Sequence, residues 1–388
     1  MNPLLQLLAH GQSYWLDNLT RQMLRNGDLA RRIHDEGLRG QTSNPAIFGK
    51  AIGKSQDYDE QIEKLIDERR PTPEIYEALV IQDIQAACDL FRPVYDESKG
   101  LDGYVSLEVS PHLAHDMQGS LEEARRLFQM VQRPNVMIKI PGTPAAVPAI
   151  EEALFEGIPI NVTLLFSIES YESVAWAYIR ALERRLEQGK SIDTLSSVAS
   201  FFLSRIDVEV DKRLKALGPV DAIQPQDLMG KVAVANARLA YQRFRAILDD
   251  PRWQALERQG AKVQRMLWAS TSTKNPDYRD VMYVEPLIGP DTVNTMPDET
   301  IAAFADHGVV RDTVMEGMEE ARQTMQALEK LGISFREVTE LLMTEGMQKF
   351  VEPFDQILDI IEKKRSLLGS EGQTRAGEAA SKGAQPAK

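Results

Sequence analysis

A lysine stands in the middle of an apolar segment, where its amine could bond covalently to a carbonyl compound. Lys139 lies in the sequence NVMIKIPGT at residues 135–143, which has the composition of a short strand ended by Pro-Gly. Burying an ammonium group without a partner is costly, and a neutral amine in an apolar pocket is a nucleophile toward carbonyl groups. The alternative is a structural lysine whose amine reaches water at the strand end. The strand alone does not decide between the two.

Two other short segments place polar side chains on one strand face. In the segment SLEVS, Glu108 shares a face with both serines, and in NVTLLFS, Asn161 shares a face with Thr163 and the final serine. Neighbouring parallel strands lie about 5 Å apart. A carboxylate, an amine and a hydroxyl from Glu108, Lys139 and Thr163 on consecutive strands would therefore meet around one bound molecule.

Two earlier segments add to this set. Asp17 ends the segment YWLD, and Asn44 follows TS directly before a proline. Each polar residue also has a structural alternative: Asp17 and Glu108 can form structural ion pairs, Asn44 can be a turn residue, and the polar residues of NVTLLFS can bond to the backbone. Their joint placement on successive strands favours a reactive site.

The elements that would position these residues alternate between strands and amphipathic helices. This alternation predicts a parallel sheet, and eight strand–helix units predict a closed (β/α)₈ TIM barrel with extra helices. An open doubly wound sheet is the alternative, but no Gly-x-Gly-x-x-Gly turn follows an early strand. The predicted strands are 14–18, 37–42, 104–109, 136–140, 161–166, 198–203, 266–270 and 292–295.

Helix starts are predicted from local signals. Thr72 and Thr143 are each followed by a proline, which favours the first helical position. Ser120, with Glu123 three residues later, has the pattern of a capping box.

Further helix is predicted beyond a minimal barrel. Residues 1–368 are predicted to form a single domain with additional N- and C-terminal helices. Residues 369–388 have the Gly, Ser, Ala, Gln and Lys composition of a flexible tail. The additional helices are predicted between about 207 and 260, including 231–248, and over 301–306, 312–331 and 335–368.

The overall composition limits the classes of partner. The chain has 388 residues and a formal net charge of −13, which argues against nucleic acid and against anionic membrane surfaces as partners. Cys88 is the single cysteine, so neither an intrachain disulfide nor a cysteine-rich metal site is expected. An anionic small-molecule substrate would need a local cluster of cations.

Location and cofactors are predicted from what the sequence lacks. The N-terminus has no basic region or cleavage site of a signal peptide, and no apolar run reaches about 18 residues. A cytoplasmic protein is therefore expected. His112 and His115 form an isolated pair without metal-ligand spacing, so no metal or other cofactor is expected.

Five motifs, in their order along the chain, resemble the transaldolase family. The resemblance is to its longer bacterial type, which occurs alone or fused to glucose-6-phosphate isomerase, and it covers nearly the whole chain from Trp15 to about Leu368. It implies a metal-free (β/α)₈ barrel that transfers a dihydroxyacetone unit between sugar phosphates. The motifs are QTSNP at 41–45, SLEV at 106–109, IKIP at 138–141, NVTLLFS at 161–167 and EPLIGPDTVNTMP at 285–297.

The resemblance also implies roles for single residues. Lys139 matches the lysine that forms a Schiff base, and Asp17 matches the acid/base that handles the substrate hydroxyl during carbon–carbon cleavage. Glu108 and Thr163 match the pair that positions the water of imine formation. Three further residues match groups that hydrogen-bond the dihydroxyacetone part of the substrate: Asn44, Asn161 and Ser200.

The implied phosphate contacts are Arg205 and Ser270. Arg205 follows the strand 198–203; its alternative is a surface arginine paired with Asp207 or Glu209. After Ser270 the chain has TSTKN, where the shorter members of the family place an arginine. Lys274 is predicted to supply that charge, although a lysine lacks the bidentate fork of arginine and could be a solvated loop residue.

The resulting prediction is transfer of dihydroxyacetone from sedoheptulose 7-phosphate to glyceraldehyde 3-phosphate. One alternative is a Schiff-base aldolase that releases free dihydroxyacetone; by the resemblance, such members tend to carry Tyr and Gln where this chain has Phe202 and Glu108. The other is a barrel that binds sugar phosphates without turnover, against which the presence of Lys139, Asp17 and Glu108 argues. No oligomeric state is predicted.

Overall fold

The structure is a computed structural model that describes residues 2–217 and 224–382, with side chains described as far as residue 367. Eight strands, each parallel to both neighbours, close into a barrel in sequence order, with β8 pairing to β1. The prediction of a (β/α)₈ barrel with extra helices is confirmed. The strands are β1 Gln12–Asp17, β2 Gly40–Thr42, β3 Tyr104–Glu108, β4 Val136–Pro141, β5 Ile160–Leu165, β6 Ser197–Phe202, β7 Arg265–Ala269 and β8 Thr292–Met296.

Helices surround the barrel and cover its ends. In the described residues they are α1 Pro3–Leu7, α2 Arg21–Arg25, α3 Asp28–Asp35, α4 Pro45–Lys54, α5 Asp59–Asp67, α6 Thr72–Glu97, α7 Met117–Val131, α8 Val147–Glu156, α9 Ile168–Glu187, α10 Ser204–Leu217, α11 Val232–Leu248, α12 Pro251–Glu257, α13 Asp298–His307, α14 Met318–Lys330 and α15 Phe335–Lys382. Short 3₁₀ turns occupy Leu8–His10, Pro111–Leu113, Pro225–Leu228 and Glu285–Leu287. None of the described helices is long and apolar enough to cross a membrane.

Two predicted helix starts are wrong. Helix α7 begins three residues before Ser120, because the carboxylate of Asp116 accepts a hydrogen bond from Gly119 N and caps it. Ser120 instead donates to Leu113 O at 2.8 Å. Thr143 does not open α8: its hydroxyl accepts from Ala146 N at 3.2 Å within a turn, and the helix starts after that turn. Hydrogen bonds between a Ser or Thr hydroxyl and a nearby backbone group form in turns as readily as at helix caps.

Other predicted boundaries also move. The segment from 312 is not helical until Met318, since Gly317 has a φ of 61°. The second strand starts at Gly40 and not at Gly37, whose φ of 71° belongs to a turn. The last helix was expected to end at Leu368, and the structure continues it to Lys382.

A buried ion pair closes the amino end of the barrel. Arg265 on β7 donates to Asp102 at 2.8 Å and to the hydroxyl of Ser13 on β1 at 2.9 Å, and Asp102 also accepts from Trp15 Nε1. Both charged side chains are 4% exposed. Removing one partner of such a pair strands the other charge, at a cost of about 3–5 kcal/mol. This end of the barrel therefore serves stability and leaves the carboxyl end for ligands.

Two non-glycine residues at the carboxyl ends of strands have left-handed backbone. Leu164 has a φ of 61°, where the pairing of β5 with β6 shifts register between Val162 and Leu165. Ser270 has a φ of 55° directly after β7. Such conformations are costly for residues with a Cβ and occur where the fold requires a particular chain path. Both lie beside the candidate site.

Helix α15 crosses the carboxyl end of the barrel. Its Gly346 faces Leu164, since a Cβ on Gly346 would lie 3.1 Å from Leu164 Cδ2. Further along, α15 packs on α4, where a Cβ on Gly53 would lie 3.3 Å from Ile360 Cδ1. An ion pair between Lys364 and Asp59 then joins it to α5. The C-terminal helix thus forms part of the wall around the candidate site.

Candidate active site

The predicted site residues meet at one cavity of about 240 Å³ at the carboxyl ends of the strands. All of them except Glu108 line it, and the Glu108 carboxylate lies behind Lys139. Eight further residues complete the wall and its rim. The lining residues are Asp17, Thr42, Asn44, Lys139, Asn161, Thr163, Ser200, Phe202, Arg205, Ala269, Ser270, Thr271, Ser272, Lys274, Thr295, Pro297, Glu299 and Phe350.

Lys139 reaches the cavity from the middle of β4 and has polar partners there. Its Nζ donates to Ser43 O at 3.1 Å and lies 3.5 Å from Glu108 Oε2. The Phe350 ring of α15 lies 5.6 Å from the same nitrogen. The side chain is 7% exposed. The prediction of a buried lysine is confirmed, but the amine has a carboxylate partner that the strand sequence alone did not indicate.

Glu108 is the neighbour of Lys139 in the barrel register, because β3 and β4 pair these two residues directly. Burial raises the pKa of the Glu108 carboxyl to about 7, against the opposing effect of the Lys139 charge. Oε2 has no hydrogen-bond partner in the described protein. A buried carboxyl with a pKa near neutrality suits proton exchange with an adjacent amine.

Asp17 lies at the end of β1, held by two threonines. Thr42 donates to Asp17 Oδ1 at 2.7 Å, and its oxygen also lies 2.7 Å from the Thr295 hydroxyl of β8. Burial raises the pKa of Asp17, while Lys139 and the Thr42 hydrogen bond act in the opposite direction. The carboxylate therefore has a fixed orientation toward the cavity.

A hydrogen-bonded row crosses the barrel interior below the cavity. Asn161 Nδ2 donates to Ser106 Oγ at 3.0 Å, and Ser200 donates to Asn161 Oδ1 at 2.6 Å. This leaves the Ser200 oxygen as an acceptor and one Asn161 N–H as a donor. Thr163 Oγ1, next to the bulge of β5, is buried without a partner. The row presents donors and acceptors suited to hydroxyl groups of a ligand.

Asn44 serves two purposes. Its Oδ1 accepts a hydrogen bond from Ile47 N at 3.0 Å and caps α4, so its structural role is that of a helix cap and not the turn residue given as the alternative. The residue nevertheless lines the cavity. Its Nδ2 donors are left for a ligand, so the residue can bind acceptor atoms.

Two cations face the other side of the cavity. Arg205, near the start of α10, stacks 5.2 Å from the Phe202 ring, and its Nη1 is buried with no hydrogen-bond partner. Burial lowers the pKa of Arg205. The alternative in which it pairs with Asp207 or Glu209 is wrong: Asp207 bonds to Ala233 N and the Tyr283 hydroxyl, and Glu209 pairs with Lys212 and Arg213.

Lys274 is exposed at the rim, and its Nζ donates to Ser272 Oγ at 2.7 Å. The hydroxyl of Ser270 lies 2.9 Å from that of Ser204, and Ser204 N donates to Ser270 O, which ties the start of α10 to the end of β7. Arg205 and Lys274 are thus held on two connected elements. A guanidinium with an unmet donor and an ammonium at the rim are groups suited to binding an anion.

Some residues of the wall were missed in the sequence. Thr42 and Thr295 lie inside recognised motifs, and their positions on the inner face of β2 and β8 could have indicated them. Phe350 gave no signal, because it lies on an amphipathic helix more than two hundred residues from Lys139. Among the described residues, no group of three or more His, Cys, Asp or Glu is placed to hold a metal ion.

The arrangement supports covalent chemistry at a carbonyl. A lysine amine, a carboxyl with a pKa of about 7 and a second carboxylate on β1 surround one small cavity. These are the groups needed to form an imine and to move protons during bond cleavage next to it. The cations opposite would hold a charged end of the same molecule.

Comparison with known proteins gives one consistent result. Residues 14–361 match the family described as Transaldolase/Fructose-6-phosphate aldolase. A protein of a Nostoc species named Transaldolase 2 is 51% identical over 376 residues, covering 95% of this chain and 99% of its own. A Transaldolase of Trichodesmium erythraeum is 49% identical over 370 residues, with 94% and 97% covered. A Transaldolase of Frankia alni is 46% identical over 372 residues, with 96% and 100% covered.

The matched region includes the strands of the barrel, apart from the first two residues of β1, and every residue that lines the cavity. The relatives are similar over almost their entire length, so the match is not confined to a shared barrel framework. This chain belongs to the transaldolase/fructose-6-phosphate aldolase family.

Proposed function

We propose that this protein is a transaldolase. It transfers a dihydroxyacetone unit from a ketose phosphate, sedoheptulose 7-phosphate, to glyceraldehyde 3-phosphate through a Schiff base on Lys139, as a cytoplasmic step of the pentose phosphate pathway. One observation carries the proposal: the Lys139 amine lies 3.5 Å from the Glu108 carboxylate on the wall of a cavity that also holds Asp17 and Arg205.

Imine formation uses Lys139 and Glu108 together. The amine must be neutral to attack the ketone, and the adjacent carboxylate can take its proton because the pKa of Glu108 is about 7. Nitrogen bonds to the carbonyl carbon, the former carbonyl oxygen leaves as water, and a C=N bond replaces C=O. The Thr163 hydroxyl, which is buried without a partner beside Lys139, would hold that water together with Glu108.

Bond cleavage uses Asp17. The protonated imine draws electrons toward nitrogen, so the carbon–carbon bond beyond it can break once the neighbouring hydroxyl loses its proton. Asp17 is oriented by Thr42, and burial raises its pKa, which makes it a better proton acceptor. The aldehyde then leaves, and the remaining enamine adds to the acceptor aldehyde by the reverse steps.

The remaining polar residues divide the substrate between two regions of the cavity. Asn44, Asn161 and Ser200 would bond the hydroxyl and carbonyl groups of the dihydroxyacetone part. Arg205, with Ser270 and Lys274, would bind the phosphate at the far end. The unmet Nη1 of Arg205 supports this, because a buried guanidinium donor without a partner is costly until an anion occupies the site.

Trapping the covalent intermediate tests the proposal. The protein is incubated with sedoheptulose 7-phosphate and borohydride, and peptide mass spectrometry is expected to find a reduced dihydroxyacetone adduct on Lys139 together with loss of activity. Lys139→Met removes the amine, and Lys262→Met is its control because Lys262 lies at the opposite end of the barrel, near Gly100. An adduct on another lysine would overturn the assignment.

A turnover assay without borohydride separates transfer from simple aldol cleavage. A transaldolase forms a new ketose phosphate only when an acceptor aldehyde is present, and it releases little free dihydroxyacetone. Phe202 supports transfer: its ring stacks against Arg205 and offers no hydroxyl that could protonate the enamine. Free dihydroxyacetone formed as fast as the aldehyde, with or without acceptor, would identify an aldolase instead.

A further inference from the structure

A second cavity lies behind Glu108, on the side away from Lys139. Its volume is about 170 Å³, and it extends outward between α4, α6, α7 and α15. Ten of its eighteen lining residues are apolar, and the polar ones are a tyrosine, an arginine, an asparagine, two serines and three glutamates. The lining residues are Ser43, Asn44, Pro45, Phe48, Pro73, Tyr76, Glu77, Val80, Ile81, Leu107, Glu108, Val109, Ser110, Glu123, Arg126, Leu127, Phe354 and Leu358.

The partition between this side cavity and the substrate cavity is one residue thick. Asn44 lines both cavities, Glu108 lines the side cavity, and Lys139 lines the substrate cavity. Ser43 belongs to the side cavity, and its carbonyl oxygen accepts the hydrogen bond from Lys139 Nζ. The pair Glu108–Lys139, at which water is released and consumed, therefore stands in the partition itself.

A surface ion-pair cluster lies at the outer end of the side cavity. Arg126 pairs with Glu77 at 2.6 Å and with Glu123 at 2.8 Å, and its side chain is 46% exposed. Exposed ion pairs of this kind are weak, about 0–1 kcal/mol, and open readily. Water can therefore exchange at this end without any movement of the barrel.

The side cavity is suited to hold water. One buried water needs about 10–15 Å³ of cavity volume, so a cavity of about 170 Å³ can hold several waters. A buried water needs two to four polar partners. Glu108, Asn44 and Tyr76 provide them at the inner end, and Glu77 and Glu123 provide them at the outer end.

Each turnover of the proposed transaldolase releases one water during imine formation and consumes one during hydrolysis, while substrate fills the other cavity. We infer that the side cavity is a water passage to Glu108, through which the released water exchanges with bulk solvent while the sugar phosphate blocks the barrel mouth. This inference rests on the proposed function and adds a second access route to the site.

Isotope retention tests the passage. The donor ketose phosphate carries ¹⁸O on its carbonyl and reacts with glyceraldehyde 3-phosphate in ordinary water. The new ketose receives its carbonyl oxygen from water at the hydrolysis step. If the released water escapes during turnover, the product keeps little ¹⁸O; if it is confined, the same oxygen returns. Mass spectrometry of the product gives the fraction of molecules that retain ¹⁸O, and this fraction does not depend on the overall rate.

Val80→Phe fills the side cavity from α6 and is expected to raise the retained fraction severalfold over the wild type. Leu127→Met lies on the same wall and keeps the volume nearly constant, so retention should stay at the wild-type value. If Val80→Phe gives no folded protein, Leu127→Phe fills the cavity from α7 and is read in the same way. A crystal structure of the borohydride-trapped enzyme should show ordered water against Glu108.

Equal retention in the filled and wild-type proteins would overturn the passage, because water would then leave by the barrel mouth. High retention in the wild type would overturn it too, and so would a dry side cavity in the trapped structure. Absence of any transfer product in the wild type would instead contradict the proposed transaldolase function, so the two failures are distinguishable.

Discussion

Two polar atoms around the substrate cavity have no hydrogen-bond partner in the described protein: Thr163 Oγ1 and Arg205 Nη1. An unmet buried donor or acceptor costs about 1–3 kcal/mol, so a protein selected only for stability would pair or replace them. They lie at the imine side and at the phosphate side of one cavity. At the scale of single residues, the site therefore has polar atoms that a bound ligand would supply with hydrogen-bond partners.

The pH dependence of activity should report Glu108. Its pKa is raised to about 7 by burial, so below that pH it carries a proton and cannot accept one from Lys139. We expect kcat/KM to rise with pH through about 7. In Glu108→Gln the rise of kcat/KM near pH 7 should disappear. The rate should fall by about 10²–10⁴-fold, which is the usual contribution of a proton-transfer group. If the rise near pH 7 persists in the variant, the titration of another group causes it.

Arg205→Ala should weaken phosphate binding selectively. A charge-assisted hydrogen bond contributes about 1.5–3 kcal/mol, so kcat/KM for phosphorylated donors should fall roughly ten- to hundredfold. An unphosphorylated ketose donor should lose little, since it never used the contact. The measurement is the ratio of the two losses in a coupled assay.

Arg213→Ala is the control for that substitution, since Arg213 lies on the same helix but pairs with Glu209 and does not line the cavity. It should leave both donors unaffected. Equal losses for both donors in Arg205→Ala would show that Arg205 supports the fold or the chemistry instead of binding phosphate.

At the scale of elements, local sequence patterns predicted those strands and helices whose position is determined by a short segment of the chain. All eight strands were predicted, because most are short, largely apolar runs bounded by turn residues, and the inward face of β3 and β4 followed from alternation. The bulge at Leu164 was not predicted, since no glycine or other local signal marks it and the contact of Leu164 with Gly346 comes from a distant helix. The helix start at Met117 was missed because two residues, Asp116 and Ser120, carry equally good capping side chains.

Two glycine substitutions should have opposite effects on stability. A Cβ on Gly40, where β2 begins, would lie 2.5 Å from the buried Trp15 ring, so Gly40→Ala should lower the free energy of unfolding by about 1–3 kcal/mol. A Cβ on Gly49, inside α4, would meet only Ile357 Cβ at 3.9 Å. Gly49→Ala should therefore raise the free energy of unfolding by up to about 1 kcal/mol through helix propensity.

Urea unfolding of both alanine variants and the wild type checks this prediction. A neutral Gly40→Ala would mean that the Trp15 ring can move away, and that the β1–β2 contact is less tightly packed than the structure indicates. A destabilising Gly49→Ala would place α15 closer to α4 than the structure has it.

At the scale of the molecule, the barrel and its C-terminal helix form one unit. Helix α15 gives Phe350 to the substrate cavity and Phe354 to the side cavity, and it then reaches α5 and α6 through Lys364 and Glu362. No local sequence signal indicates these contacts, because they join residues about three hundred positions apart. The order of motifs indicated the barrel, and only the three-dimensional path of α15 shows how its mouth is narrowed.

The end of the chain should be dispensable although α15 continues to Lys382. The contacts of α15 with α4, α5 and α6 involve residues up to Arg365. A chain that stops after Leu368 should therefore keep its melting temperature and activity within error. A chain that stops after Leu331 loses Phe350 and should lose activity and cooperative unfolding. A clear drop in the first truncation would show that the last twenty residues dock on the protein.

Cys88, the single cysteine of the chain, should not react with thiol reagents in the native protein. It is fully buried on α6, its Sγ faces Asn135 O at 3.8 Å, and burial raises the pKa of its thiol, so the native protein presents no reactive thiolate. A cysteine introduced at exposed Gln348, two positions from Phe350, would be the one group that a maleimide dye labels. Fluorescence from that dye would report in real time whether α15 shifts when sugar phosphate enters and leaves.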